Sequence, residues 1–274
     1  MKQLKIAIKK FLLPPGNLFR YSLSFCLVLA LLPSLIILIQ VFEHDLLDAK
    51  KMIDLLYDYI PEVLLAPFFE YILAREIKMS FSVIISTIFS LFIASNAIYS
   101  LMLIVKEDEH FESYNILIRI KAVVLFVILV ITIMALAIIN YWFSFNPTMT
   151  MVVGLFLVFY YFYRFLSFFK RPLSYGILGA VFTSIAIVVI GMFFFYIVER
   201  YTRYYVLYGP LASLVIMLFS IYLIASVIYF GYCLNYAFNQ NSRVKKYKHE
   251  RYFNFGNHLI DQIIKKILVL KDDK

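Results

Sequence analysis

Charge is missing from long parts of this chain. Residues 21–42, 79–105, 122–163, 172–198 and 204–242 contain no Asp, Glu, Lys or Arg. Charged residues make up 16 % of the whole, where a soluble domain has about 25 %. Histidine is also scarce: His44, His110, His249 and His258 all lie outside these runs. A carboxylate- or imidazole-based ion relay therefore has no seat in the middle of any run, where buried ionisable groups usually mark function. The two cysteines, Cys26 and Cys233, both fall inside apolar runs, which excludes a disulfide framework and a paired thiol motif. There is no Gly-rich phosphate loop, no HExxH and no GxSxG elbow. No catalytic residue, metal site or cofactor is assigned on this reading.

What is present is apolar. Hydrophobic residues reach 63 % and aromatic residues 19 %, with a mean hydropathy of +0.85. Crossing a bilayer takes roughly 20 mostly apolar residues, and every charge-free run meets that length. The 122–163 run is long enough for two crossings, and Ser144-Phe145-Asn146-Pro147 supplies a break between them. The pattern predicts an all-α, polytopic membrane protein with six transmembrane helices, near 21–42, 81–105, 121–143, 149–169, 174–197 and 207–237. Lys and Arg are retained on the cytoplasmic side of membranes. Twenty of the 26 flank one side of the predicted spans, which places both termini in the cytoplasm. The net charge of +9 is thus a topology signal first, and no nucleic-acid partner is expected. The first apolar run starts only after Arg20 and lacks a small-residue cleavage site, unlike a secretory signal.

We read one integral membrane domain over 1–274: a basic amphipathic segment (1–20), a six-span bundle (21–240) and a basic amphipathic tail (241–274). In "MKQLKIAIKKFLL" the residues Leu4, Ile8, Phe11 and Leu12 share one helical face and Lys2, Lys5 and Lys9 another. In "HLIDQIIKKILVL" the pattern returns, with Ile260, Ile263, Ile264, Ile267 and Leu268 opposite Asp261, Gln262, Lys265 and Lys266. Both ends are expected to lie on membrane lipids of the anionic inner leaflet, with docking of a partner as the alternative. Between spans one and two, residues 43–80 form an acidic outer segment of helical pieces broken at Pro61 and Pro67. The loop "ERYTRYYVLYGPLAS" (199–213) reads as an aromatic belt around a turn.

Polar residues inside the spans are the candidate path for a substrate. Span two carries Ser95 and Asn96. Span six carries Tyr222, Ser226, Tyr229, Cys233 and Tyr236 at steps of four and three, so they share a face, with Asn235 close by. Asn140 is a further candidate. The plainer alternative is that small and hydroxyl side chains let membrane helices pack and hydrogen-bond, and homo-oligomerisation through such faces stays open. The run "KEDEHFES" (106–113) reads as a solvated charge cluster, since its spacing matches no closed metal site.

Several stretches together resemble the YihY/BrkB membrane proteins, historically labelled ribonuclease BN-like. They are "YSLSFCLVLALLPSLIIL" with Pro33, "SLFIASNAIYSLMLIV", "RPLSYGILGAVFTSIAI" and "FFFYIVERYTRYYVLYGPLASLVIMLFSIYLIASVIYFGYCLN". The last contains the Tyr208-Gly209 turn, the Ala212-Ser213 helix start and the terminal Gly231 to Asn235. The resemblance implies six spans with both ends inside a bacterial cytoplasmic (inner) membrane, and suggests Pro33, Tyr208, Gly209 and Gly231 as structural or gating positions. The chain departs from the family where Cys233 replaces a common Glu and where His110 stands near the usual Arg. The functional expectation is handling or translocation of a lipid, or of another amphipathic or small solute, in envelope maintenance. A non-transporting scaffold for envelope partners is the alternative, and a membrane-attached ribonuclease using Glu107, Asp108 and Glu109 is a third.

Overall fold

A computed structural model describes residues 2–43, 81–143, 147–169, 171–200, 210–239, 253, 255–258 and 260–262. The fold is all-helical. Helix α1 spans Lys2–Phe11, α2 Pro14–Glu43, α3 Phe81–Asp108, α4 Asn115–Phe143, α5 Pro147–Leu166, α6 Ile177–Arg200 and α7 Pro210–Asn239. Helices α2 to α7 each overlap one of the six expected spans. Among the described residues, three windows are both long and apolar enough to cross a bilayer: Asn115–Thr132, Ile177–Phe194 and Val215–Asn239. Val152–Leu166 is a shorter apolar stretch. The acidic segment 44–80 and the Tyr208-Gly209 turn lie outside the described residues.

Local chemistry sets the helix ends. Pro14, Pro147 and Pro210 each open a helix, the position where a missing N–H costs nothing and the fixed φ already suits the helix. Pro33 lies within α2, which continues through it. Helix α3 closes with a Schellman motif. Phe111 N–H donates to Lys106 C=O at 3.0 Å and His110 N–H to Glu107 C=O at 3.2 Å. His110 takes the left-handed backbone, φ 48°, that usually belongs to glycine. This turn carries Phe111 into an aromatic cluster, stacked on Phe168 at 4.6 Å and edge-on to Phe253 at 5.1 Å.

The described residues pack into two units. One comprises residues 1–10, 98–181 and 231–274, and the other 11–97 and 182–230. The first has a core of Leu101, Met102, Ile118, Tyr163, Leu166, Phe168 and Phe253. Its C-terminal stretch folds back on its own chain. Ser113 Oγ donates to Asn257 Oδ1 at 3.1 Å and Tyr114 OH to Asp261 Oδ1 at 2.5 Å. That bond to Asp261, then partial burial and the carboxylate's charge, raises the Tyr114 phenol pKa. Most of the tail's expected apolar side (Ile263, Ile264, Ile267 and Leu268) lies outside the described residues.

Helix α1 has three faces. Ala7 and Lys10 are buried against the first unit, while Leu4 and Ile8 are 47 % and 44 % exposed. Lys2, Lys5 and Lys9 are exposed on the remaining side. Lys10, which the sequence reading did not assign to either face, turns inward.

Candidate functional site

Asn235 is 1 % exposed in α7. Its surroundings follow from how α6 begins. Gly176 precedes the helix with φ 94° and accepts the first helical bond, from Ala180 N–H at 2.9 Å. An N-cap residue normally offers a side-chain oxygen to a free N–H of the first turn. Gly176 has none, and Asn235 supplies it from another helix: Gly179 N–H donates to Asn235 Oδ1 at 2.8 Å. The approach is close because Gly179 lacks a Cβ. A methyl there would meet Asn235 Nδ2 and the Gly231 carbonyl oxygen. Gly231, expected from the family resemblance to be structural, is thus at the contact. Asn235 Nδ2 has no hydrogen-bond partner, and it is the one such buried side-chain atom among the described residues.

The other face of α7 packs on α2 within the second unit. Tyr229, 1 % exposed, lies against Gly16, where a Cβ would sit 2.8 Å from its Cζ, and its ring centroid is 5.6 Å from that of Phe19. Tyr222 stacks on Tyr21 at 5.6 Å, with ring planes 16° apart. Ser226 Oγ donates to the Tyr222 carbonyl at 2.8 Å, one turn back in its own helix. Ser95 does likewise in α3, donating to Phe92 C=O at 2.7 Å, and Asn96 is half-buried beside it. Tyr222, Ser226 and Tyr229 therefore do share a face, and that face meets α2. Asn235 belongs to a different contact, with α6.

Sequence reasoning missed an ionic cluster in the first unit. Asp108 and Glu109 sit in the stretch read as a solvated run, yet their side chains are only 15 % and 7 % exposed. That reading is corrected for these two, while Glu107, His110 and Glu112 are exposed. Asp108 accepts Lys10 Nζ at 2.5 Å through one oxygen and Tyr232 OH at 2.5 Å through the other. The Lys10 ammonium also lies 4.2 Å from the Tyr236 ring centroid. Glu109 accepts Arg171 Nη2 at 2.6 Å, Ser167 Oγ at 2.7 Å and Phe168 N–H at 2.8 Å.

Electrostatics favour the Arg171 charge in this cluster. Burial pulls the Arg171 guanidinium pKa down, but the charge and hydrogen bond of Glu109 outweigh it, so the pKa is raised. Tyr175, whose ring lies 4.9 Å from the Arg171 guanidinium, has its phenol pKa raised by burial first and then by Glu109. Each carboxylate is matched by one cation, so the cluster fastens α1 and the α5–α6 turn to the end of α3. The sequence carries no signal of it, because His110 and not a glycine closes the Schellman turn. A helix that ends at Asp108-Glu109 and turns back on Phe111 brings both carboxylates to the packed side.

Together, these elements define a class: an all-helical, membrane-embedded protein with polar groups buried between apolar helices. The chain belongs to the family described as Virulence factor BrkB, which it matches over residues 7–253. No curated protein and no solved structure matches it.

Proposed function

We propose that this chain spans a bacterial cytoplasmic membrane six times with both ends inside, and that it handles a lipid or another amphipathic or small solute in envelope maintenance. In this reading it is a carrier, not an enzyme. The observation that carries it is the Asn235 carboxamide. A buried donor left without an acceptor costs about 1–3 kcal/mol. Here that donor sits in an apolar helix, at a position the sequence marks as part of a path. An acceptor on a passing headgroup or solute would satisfy it. Polar groups at membrane depth between packed helices are the usual seats of transported molecules.

The test is transbilayer movement of labelled lipids in proteoliposomes. Wild type, Asn235→Asp and empty vesicles are compared, with protein abundance and monodispersity checked in each. Asp keeps an oxygen for the Gly179 N–H and removes the Nδ2 donor. Movement above the empty vesicles that falls in the folded Asp variant supports the reading. Movement no faster than in empty vesicles, across several headgroups, rejects lipid translocation and turns the search to small solutes or to a scaffold.

A further inference from the structure

Arg20 is a buried cation that meets no carboxylate among the described residues. It lies in the second turn of α2 and is 7 % exposed. Its Nε donates to Gly16 C=O at 3.2 Å and its Nη2 to Asn17 Oδ1. A guanidinium has five N–H donors. Those two bonds use Nε and Nη2 and leave Nη1, which is not fully enclosed, without an acceptor, and among the described residues no carboxylate meets it. Lys10, also buried, and Arg171, half-buried, each have a carboxylate. A buried charge left unpaired is strongly unfavourable, so an anion bound beside it would stabilise the fold.

The surroundings say what kind of anion fits. The guanidinium lies 4.3 Å from the Phe11 ring centroid and 5.8 Å from that of Tyr222. Two aromatic faces partly stabilise a cation but cannot neutralise it. Planar guanidinium donors match the oxygens of a phosphate. Tyr222 in turn stacks on Tyr21, and Tyr21 stands on a face of α2 that is open and apolar. Leu18 is 70 % exposed, Tyr21 60 % and Phe25 59 %. An anionic head beside an exposed apolar face describes an amphipathic ligand better than a free ion.

We propose that Arg20, with Asn17 and the Tyr21/Tyr222 stack, binds the phosphate of a phospholipid headgroup whose acyl chains lie along Leu18 and Phe25. The site goes beyond the transport reading, because a headgroup can be held without being moved across the bilayer.

The experiment is native mass spectrometry of the delipidated full-length protein in detergent. Phosphatidylglycerol or diacylglycerol is added, with and without millimolar inorganic phosphate. Wild type should retain phosphatidylglycerol and not diacylglycerol, and phosphate should not displace the lipid. Arg20→Gln should lower retention about tenfold or more, the loss expected for a charge-assisted hydrogen bond. Tyr222→Leu, which leaves the charge in place, should lower it less. This second variant decides the matter should Arg20→Gln not fold, since unchanged retention in it would overturn the proposal. Equal retention in a folded Arg20→Gln protein, or equal retention of diacylglycerol, would also overturn it. Displacement by inorganic phosphate would overturn the lipid assignment in favour of a free anion. Retention without transbilayer movement leaves this site standing and removes only the transport reading.

Discussion

Asn235 Oδ1 accepts the Gly179 N–H at 2.8 Å, so a side chain of α7 caps the first turn of α6. The bond exists only because two glycines allow it: Gly176 leaves the cap unfilled, and Gly179 leaves room for the carboxamide. Gly179→Ala would drive a methyl into Asn235 Nδ2 and the Gly231 carbonyl. Such overpacking costs about 1–3 kcal/mol. Gly191, in the same helix, has nothing within 4 Å of an added Cβ, and Ala there should hold or slightly raise stability. Thermal unfolding of the two detergent-solubilised variants checks this. Equal midpoints would mean that the close approach of α6 and α7 carries no strain.

The buried pair of Lys10 and Asp108 leads to a second prediction. Removing one partner strands a charge in a side-chain environment only 10–15 % exposed, which costs about 3–5 kcal/mol. Lys10→Met and Asp108→Asn should each destabilise strongly. The double variant should recover part of the loss, because neither position is then left with a buried unpaired charge. A double-mutant cycle on the unfolding midpoint measures the coupling. Additive losses would show that Lys10 gains nothing from Asp108. Loss of α1 docking in Lys10→Met, read by protease access after Lys5 and Lys9, would locate the effect.

Helix identity and placement were legible because spans are long, charge-free runs, and nothing in a bilayer competes with helix for such a segment. The shared face of Tyr222, Ser226 and Tyr229 was legible for the same reason, since helical spacing fixes it. The partner of that face was not, because any small-residue helix could have met it; Gly16 selects α2 by leaving space for the Tyr229 ring. The ionic cluster stayed hidden for a different reason. Asp108 lies 98 residues from Lys10, and Glu109 lies 62 from Arg171. Charge pattern along a chain reports local neighbours only, and "KEDEHFES" looks the same whether two of its carboxylates face water or a buried cation.

His110 closes α3 with φ 48°, a conformation that costs a non-glycine residue roughly 1–2 kcal/mol. His110→Gly should therefore stabilise the protein, by up to about 1 kcal/mol after the extra backbone entropy of glycine in the unfolded chain is subtracted. His110→Val should destabilise it, because a β-branched side chain tolerates this region worst. The imidazole is exposed and makes no hydrogen bond or ion pair among the described residues, so the change reports backbone strain. Unfolding midpoints in the order Gly, His, Val support the argument, and a Gly variant less stable than wild type defeats it.

Tyr175 makes stability depend on alkaline pH. Burial, then the nearby Glu109 charge, raises its phenol pKa above the ordinary 10.0. In the unfolded chain the phenol loses its proton near 10.0, while in the folded protein it keeps it to higher pH. The contribution is therefore fully present below pH 10.0 and is lost as pH rises towards the folded value. Each unit between the two values removes about 1.4 kcal/mol. Arg171, also raised, keeps its charge over the same range and holds Glu109 in place meanwhile. Tyr175→Phe has no proton to lose, so its stability should fall less between pH 10 and 12 than that of wild type. The measurement is the thermal midpoint across that range in detergent, with Tyr161→Phe, at a position 53 % exposed, as the comparison. Parallel decline of wild type and Tyr175→Phe would show that the buried phenol does not set the alkaline limit.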